Sequence, residues 1–311
     1  MKRFLLLIHL AGLQFLLAQQ PQQKGDFMAD LIYKTADYPN EKNQPYLSLY
    51  FNAKGQPTEE WSYGKFIRHQ ADELDYVNTS HYDTNGLTTK EQRWYKEKRK
   101  FRTGFADLYT YDSNKNKVTD TNTEKGKTTR ADSISYTYDS NKNILKKTSS
   151  YICYHTYANG TSHPVLKGKK FWEYKYDTNN RVIYCAFYDY PENLYSECRY
   201  TYKVTDSTLV KKMAIHFTKG NESDYETTTV YSLDNSILQI ENIPQKGDAR
   251  YTKKVFHYNP AGLMERIETS EKRAADENYG AATVIHIKAK AIPVNKEAIK
   301  NMNNAIIEPY L

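Results

Sequence analysis

Apolar and polar residues alternate along most of this chain, and the alternation keeps returning in one phrase. In Ser135-Tyr136-Thr137-Tyr138-Asp139-Ser140-Asn141-Lys142-Asn143-Ile144, an alternating run ends in aromatic-x-aromatic, meets Asp and a polar turn, and begins again. Side chains on a strand point to opposite faces with period two, so both aromatics fall on one face. Tyr favours strands and gives a half-buried face bulk with a polar tip. Asp or Asn then leaves the strand, because its side chain satisfies turn backbone groups.

Aligned on Asp139, the copies sit at Asn52, Asp83, Asp112, Asp139, Asp177, Lys203, Asp234 and Asn259. Before them stand Phe51, Tyr82, Tyr111, Tyr138, Tyr176, Tyr202, Leu233 and Tyr258. Two residues earlier come Leu49, Ser80, Tyr109, Tyr136, Tyr174, Tyr200, Tyr231 and Phe256. The period is roughly thirty residues, the signature of a repeat architecture. Gly86 stands three residues after Asp83, where a left-handed backbone favours Gly, and Asn180 tolerates the same position. Asn116 and Asn143 come one residue later, which predicts a longer turn in those copies.

About thirty residues hold two strands of roughly nine to eleven residues and two short connections. The copies together predict an all-β chain, an antiparallel up-and-down meander of about sixteen strands. A long sheet twists and leaves wet edges, so it should curl into a barrel or partial barrel with the aromatics inside. Stacked or propeller-like sheets are the alternative.

The phrases Tyr109-Thr110-Tyr111-Asp112, Tyr136-Thr137-Tyr138-Asp139, Tyr174-Lys175-Tyr176-Asp177 and Phe256-His257-Tyr258-Asn259-Pro260-Ala261-Gly262-Leu263 resemble the YD repeats of RHS-type bacterial surface and toxin proteins. They resemble equally the secreted bacterial proteins of unknown function built from YD-like hairpins. The resemblance spans residues 46–270 and implies β-hairpin repeats. The chain is short for an RHS shell around a toxin, and no toxin domain is recognisable, so the toxin role is not carried over.

The ends differ from the middle. Lys2 and Arg3 precede an apolar core from Phe4 to Leu17, and Leu16-Leu17-Ala18 fits a cleavage site, so residues 1–18 read as a signal peptide. The core is short for a spanning helix, and Cys153 is the first cysteine, which argues against a lipid anchor. Residues 19–45 form a polar leader and 46–270 the repeat domain. Residues 271–311 hold a final strand, Thr283 to Lys290, and a short helical cap, Asn295 to Ile307.

The formal charge is +7, and it falls to +5 when Lys2 and Arg3 leave with the signal. Arg93, Lys96, Lys98, Arg99, Lys100 and Arg102 form the densest basic run, interleaved with Trp94, Tyr95 and Phe101. Exported proteins seldom meet nucleic acid, so the run reads as a solvated strand face and nucleic acid is not an expected partner. The mature chain has no integral span. A membrane barrel needs an apolar outward face, and neither face of Leu87 to Lys98 supplies one.

Motifs of catalysis are missing: no His-Glu-x-x-His, Cys-x-x-Cys, P-loop or Gly-x-Ser-x-Gly. Asp112-x-Asn114-x-Asn116 and Asp139-x-Asn141-x-Asn143 imitate a calcium loop. Lys117 or Ile144 stands where such a loop needs Gly, and Thr123 or Ser150 where it needs Glu. No cofactor, metal or catalytic constellation is expected. The chain carries 29 Tyr against 11 Phe, a bias towards aromatic surface that touches water. Trp172, Tyr174 and Tyr176 share a strand face, and a common register would extend that face through Tyr136, Tyr138, Tyr200 and Tyr202. Flat amphipathic rings in a row suit a glycan or similar polar polymer. Cys185 and Cys198 become direct opposites if a hairpin centres on Pro191-Glu192, and an oxidising compartment would then favour a disulfide. The function expected is an exported, non-enzymatic envelope or surface binding scaffold. The alternatives are a secreted enzyme with a loop site and an outer-membrane barrel.

Overall fold

A computed structural model describes residues 21–22, 24–34, 45–63, 74–97, 100–157, 161–189, 193–218, 223–244, 250–273, 276 and 278–308. The expected signal peptide, its cleavage point and Pro191-Glu192 lie outside these residues. The strands are β1 (Phe27–Lys34), β2 (Leu47–Phe51), β3 (Pro57–Tyr63), β4 (Leu74–Tyr82), β5 (Thr88–Glu97), β6 (Lys100–Tyr111), β7 (Lys117–Glu124), β8 (Lys127–Tyr138) and β9 (Ile144–Thr156). They continue as β10 (Ser162–Tyr176), β11 (Val182–Asp189), β12 (Asn193–Val204), β13 (Thr208–Phe217), β14 (Tyr225–Ser232), β15 (Ile237–Pro244), β16 (Arg250–Tyr258), β17 (Met264–Arg273) and β18 (Thr283–Ala289). One helix, α1 (Lys296–Ile307), follows.

Each strand pairs antiparallel with the next, and β18 pairs with β1, so the 18-stranded sheet closes into an up-and-down barrel. At the closure Leu31 stands between Ile287 of β18 and Leu47 of β2. The repeats supply β2 to β17, and β1 and β18 from outside them complete the ring. Closure settles the choice between barrel and stacked or propeller-like sheets in favour of the barrel.

The repeat turns gather at one end. In the copy at Asp83, its amide donates to the Leu87 carbonyl (2.9 Å), and the Gly86 amide donates to the Asp83 carbonyl (3.0 Å). Asp83 Oδ1 accepts from the Leu87 amide at 2.8 Å. The copies at Asp112 and Asp139 were expected to have longer turns, but they close with the same pair of bonds. Lys115 (φ 65°) and Lys142 (φ 67°) take the left-handed position instead of the asparagines after them. That conformation costs a non-glycine residue about 1–2 kcal/mol. The carboxylate of Asp139 offsets it by accepting from the amides of Asn141 and Asn143, both at 2.8 Å. Two expected positions also move. Ser232, not Asp234, makes the pair of bonds that Asp139 makes, and near Lys203 the turn starts at Thr205 and is tighter, its amide donating to the Thr208 carbonyl at 2.8 Å. A threonine or serine hydroxyl does the capping there in place of a carboxylate.

Alternation separates the two faces. On β12, Arg199, Thr201 and Lys203 are exposed while Cys198, Tyr200 and Tyr202 are half-buried; on β8, Ser133, Ser135 and Thr137 are exposed while Ile134 is buried. The less exposed set is the inner wall. Helix α1 packs on that wall, capped by Asn295, whose side chain accepts from the Glu297 amide at 2.8 Å. Met302 and Ile306 are fully buried against Leu31, Phe51, Ile267 and Ile285. Each such side chain contributes roughly 1.5–3 kcal/mol of burial. Asn303 fixes the helix to the turn at Asn259, accepting from the Met264 amide and donating to the Gly262 carbonyl, both at 2.8 Å. Asn301 donates to the Lys54 carbonyl at 2.8 Å, on the turn at Asn52. A second cluster, Tyr50, Trp61, Leu74, Val77 and Trp94, lies on the other face of β2 to β5.

Two glycines test this docking against each other. Both Gly55 (φ 73°) and Gly262 (φ 83°) are left-handed. A Cβ on Gly55 would stand 2.0 Å from the Ala298 carbonyl oxygen, whereas one on Gly262 would meet nothing within 4 Å. Gly262→Ala should cost about 1–2 kcal/mol in urea unfolding, and Gly55→Ala a further 1–3 kcal/mol, roughly, from overpacking. Equal losses would show that α1 does not rest on the first turn.

Candidate functional site

The tyrosines before the turns have a shared structural task. Tyr82 Oη donates to the Pro57 carbonyl at 2.7 Å, Tyr111 to Thr88 at 2.7 Å, Tyr176 to Ile144 at 2.9 Å, Tyr202 to Val182 at 2.8 Å and Tyr258 to Ile237 at 2.7 Å. Each acceptor is the first strand residue after the preceding turn, so each phenol ties one repeat to the one before it. Burial pushes the Tyr82 phenol up to about 12. In the fourth copy Tyr136 makes the tie, to Lys117 at 2.7 Å, and Tyr138 accepts from Asn116 Nδ2 at 2.7 Å.

Trp172, Tyr174, Tyr176, Tyr136, Tyr138, Tyr200 and Tyr202 all stand on the inner wall, yet they do not form one uninterrupted row. A repeat has two strands, and its Tyr-x-Tyr occupies only the first. Across β8 to β11 the row runs Tyr136, Lys147, Trp172, Phe187, and across β10 to β12 it runs Tyr174, Cys185, Cys198. The intervening strands set cations on the rings: Lys117 lies 3.7 Å from the Tyr109 centroid, Lys147 4.7 Å from Trp172, and Lys211 4.8 Å from Tyr200. Such contacts are worth about 0.5–2 kcal/mol. Burial pushes the Lys147 and Lys211 ammonium groups down.

An uninterrupted aromatic stripe does exist, at the loop end of β10 to β14. Trp172 stacks on Phe187 (5.1 Å between centroids), Phe187 meets Tyr195 edge-on (5.6 Å), Tyr195 meets Phe217 (6.0 Å), and Phe217 meets Tyr225 (6.3 Å). Of these the sequence reading singled out only Trp172. The register shift between Phe187 and Tyr188 turns Tyr195 inward, and a bulge of that kind leaves no mark in the alternation. Beside Tyr225 a cavity of about 410 Å³ opens, lined by Met213, Thr227, Asn242, Pro244 and Arg250. Thr227 Oγ1 donates to Asn242 Oδ1 at 2.8 Å.

A second cavity, about 470 Å³, adjoins the C-terminal end of α1 and is lined by Glu60, Asn78, Glu91, Arg93, Asp107 and Glu308, among others. Arg93, expected on a solvated face, points inward: its Nε donates to Asn78 Oδ1 at 3.0 Å, and its guanidinium lies 4.4 Å from the Tyr76 centroid. Glu60 accepts from Tyr76 Oη (3.4 Å) and Asn78 Nδ2 (3.3 Å). Burial nevertheless raises its carboxyl above the ordinary value. Glu91 accepts from Tyr109 Oη at 2.6 Å and Asp107 from Asn122 Nδ2 at 2.7 Å.

No family model and no curated protein matches this chain. Solved structures overlap it, two of them as follows. A porin-like protein from Bacteroides uniformis ATCC 8492 superposes with a TM-score of 0.42 at 8% identity, covering 87% of this chain and 98% of that one. TcdB2-TccC3 without its hypervariable C-terminal region superposes with a TM-score of 0.26 at 11% identity, covering 76% of this chain and 16% of that one.

Among the described residues no group of three or more His, Cys, Asp and Glu is placed to hold a metal ion. Cys185 and Cys198 are direct cross-strand partners on β11 and β12, and both are free thiols, as is Cys153. Burial pushes Cys185 up to about 11 and raises Cys198 as well. A thiol must ionise to exchange, so oxidation of this pair should be slow at neutral pH and quicken in alkali. Thiol titration of denatured protein after oxidation should find a single thiol; three would rule the bond out.

The raised Glu60 value fixes a sign. Folded protein holds this proton to higher pH than the unfolded chain, whose value is near 4.5. The stability it contributes is complete below that pH and is lost as pH rises through the folded value. Glu60→Gln should therefore flatten this decline in a melting-temperature series, and an unchanged slope would place the source elsewhere.

Proposed function

We propose that this is an exported, non-enzymatic envelope or surface protein that binds a glycan or similar polar polymer at the loop-end mouth of its barrel. The observation that carries the reading is the contiguous stripe Trp172, Phe187, Tyr195, Phe217 and Tyr225 beside the cavity at Thr227, Asn242 and Arg250. Sugar rings have apolar faces that stack on such side chains, and their hydroxyls suit amide and guanidinium partners. The tyrosines nearer the turns are interrupted by the lysines and cysteines of the intervening strands, so the stripe, whose rings touch from strand to strand, replaces them as the favoured surface. Export rests on the basic and apolar leader, and a water-soluble barrel is favoured over a membrane one by outward charges. Glu197, Arg199 and Lys203 on β12, Lys212 on β13, and Arg266 and Glu268 on β17 occupy the face that a membrane barrel would give to lipid.

Glycan-array binding is the test, on mature protein prepared without detergent. Trp172→Ala and Phe217→Ala should each weaken binding about tenfold or more, the loss of one stacking contact of roughly 1.4 kcal/mol. Tyr176→Phe, at the turn end, should leave binding unchanged. Absence of binding by folded wild type, or equal binding by the stripe variants, would remove this reading, and a mature chain that needs detergent would restore the membrane barrel. The enzymatic alternative is favoured only by the raised carboxyl of Glu60 in its cavity. Turnover of glycan substrates that Glu60→Gln abolishes would establish it.

A further inference from the structure

Charge is shared unevenly around the inner wall. From β3 to β8 the wall carries Glu60, Glu91, Asp107, Asp120 and Asp132. Cations of the same strands answer some of them: Lys117 lies 3.3 Å from Asp120, and Arg130 lies 2.6 Å from Asp132. From β9 to β14 the wall carries Lys147, Lys170 and Lys211 instead. The acids of those strands stand elsewhere. Glu173, Glu197 and Glu226 lie on the outer face, and Asp189 ends β11 at the rim with a partner of its own.

The neighbours of these lysines are rings. Lys147 Nζ lies 4.7 Å from the Trp172 centroid, Lys170 Nζ 5.8 Å from Phe187, and Lys211 Nζ 4.8 Å from Tyr200. Burial, reinforced at Lys147 by nearby Lys117, holds the Lys147 and Lys211 ammonium groups below their ordinary value, and the more distant Asp120 and Asp132 do not restore Lys147. A half-buried cation short of counter-charge gains when an anion binds beside it. Two of the three stand against the aromatic stripe, at Trp172 and Phe187. At the other end of the stripe Arg250 lines the cavity beside Tyr225, paired with Glu271 at 3.0 Å. A polymer lying along the stripe passes both ends.

On the glycan reading above, we propose that the polymer is an acidic glycan, one whose sugars carry carboxylates, and that Lys147 and Lys170 determine that specificity. A uronic acid unit on the stripe brings its carboxylate to these two ammonium groups, whereas a neutral sugar leaves them with rings alone. The carboxylates from β3 to β8 repel such a chain from the far wall and hold it to the stripe. Lysines laid on rings also serve simply to pack a wall, and the experiment separates the two roles.

The probes are oligouronides of galacturonate, glucuronate, mannuronate and guluronate, each beside its methyl ester, titrated calorimetrically at low salt into mature full-length protein. Acid and ester share their rings, so stacking is matched and charge differs. At least one acid should bind about tenfold or more tighter than its ester, and added salt should narrow the gap. Lys147→Gln combined with Lys170→Gln should bring the acid to the level of the ester, and Lys147→Arg combined with Lys170→Arg should keep the preference. An unchanged near-ultraviolet circular dichroism spectrum would confirm the fold of each variant, and the comparison of acid with ester on wild type stands without them. Esters that bind as well as their acids, or neutral glycans bound while every uronide fails, would overturn this proposal and leave the glycan reading standing. Absence of binding to any glycan would remove both. Polyphosphate bound as tightly as the best uronide and untouched by Trp172→Ala would reduce the effect to charge alone, and a folded glutamine variant with its preference intact would place the contact elsewhere; either result overturns the proposal.

Discussion

Pairing of β1 with both β18 and β2 is the constraint on which the rest of the structure depends. The repeats supply β2 to β17, and that sheet alone would leave two open edges with unpaired amides and carbonyls. Strand β1 covers one edge, β18 the other, and their mutual register puts Ala29, Leu31, Ile285 and Ile287 on the inner wall. These residues are all buried, and they form the floor on which α1 rests. The non-repeat ends of the chain therefore close the ring and supply its densest core.

A ring of this many strands encloses more space than wall side chains fill. The chain meets that demand differently around the circumference. Helix α1 fills the sector next to the closure, with Asn301 and Asn303 fastening it to two turns. From β3 to β9 the inner wall is polar, and carboxylates, amides, Arg93 and Lys117 satisfy one another across strands. From β10 to β14 aromatic side chains take over, and at the loop end they touch without interruption. The tyrosine ties run beneath all of this. Each links consecutive repeats near the turn end by one hydrogen bond, worth about 0.5–1.5 kcal/mol, and repetition makes the sum matter.

The same logic separates the two ends of the barrel. At the turn end the connections are tight and self-capped, and those at Asn52 and Asn259 carry the helix. At the loop end β9 and β10 rise beyond β11, the aromatic stripe reaches the rim, and the cavity at Tyr225 opens.

The amino-acid sequence alone determined the all-β class, the hairpin repeat, the meander order and the inward side of each Tyr-x-Tyr, because strand periodicity and turn chemistry are local. It also allowed Cys185 to face Cys198 if the hairpin centred on Pro191-Glu192; the innermost pair is Asp189 with Asn193, and the register shift between Phe187 and Tyr188 is what brings the two cysteines opposite. It misjudged the turns at Asp112 and Asp139, where Lys115 and Lys142 adopt a conformation that lysine does not advertise and the Asp side chain sustains it. It placed the repeat positions at Lys203 and Asp234, where Thr205 and Ser232 do the capping. Closure by β1 and β18, the seat of α1 on Gly55 and Asn259, and the inward turn of Tyr195 were decided only by tertiary structure. So was the stripe from Trp172 to Tyr225, because its members come from five strands. Whether rings on separate strands touch depends on register and bulges accumulated around the barrel, and no single stretch of sequence contains that sum.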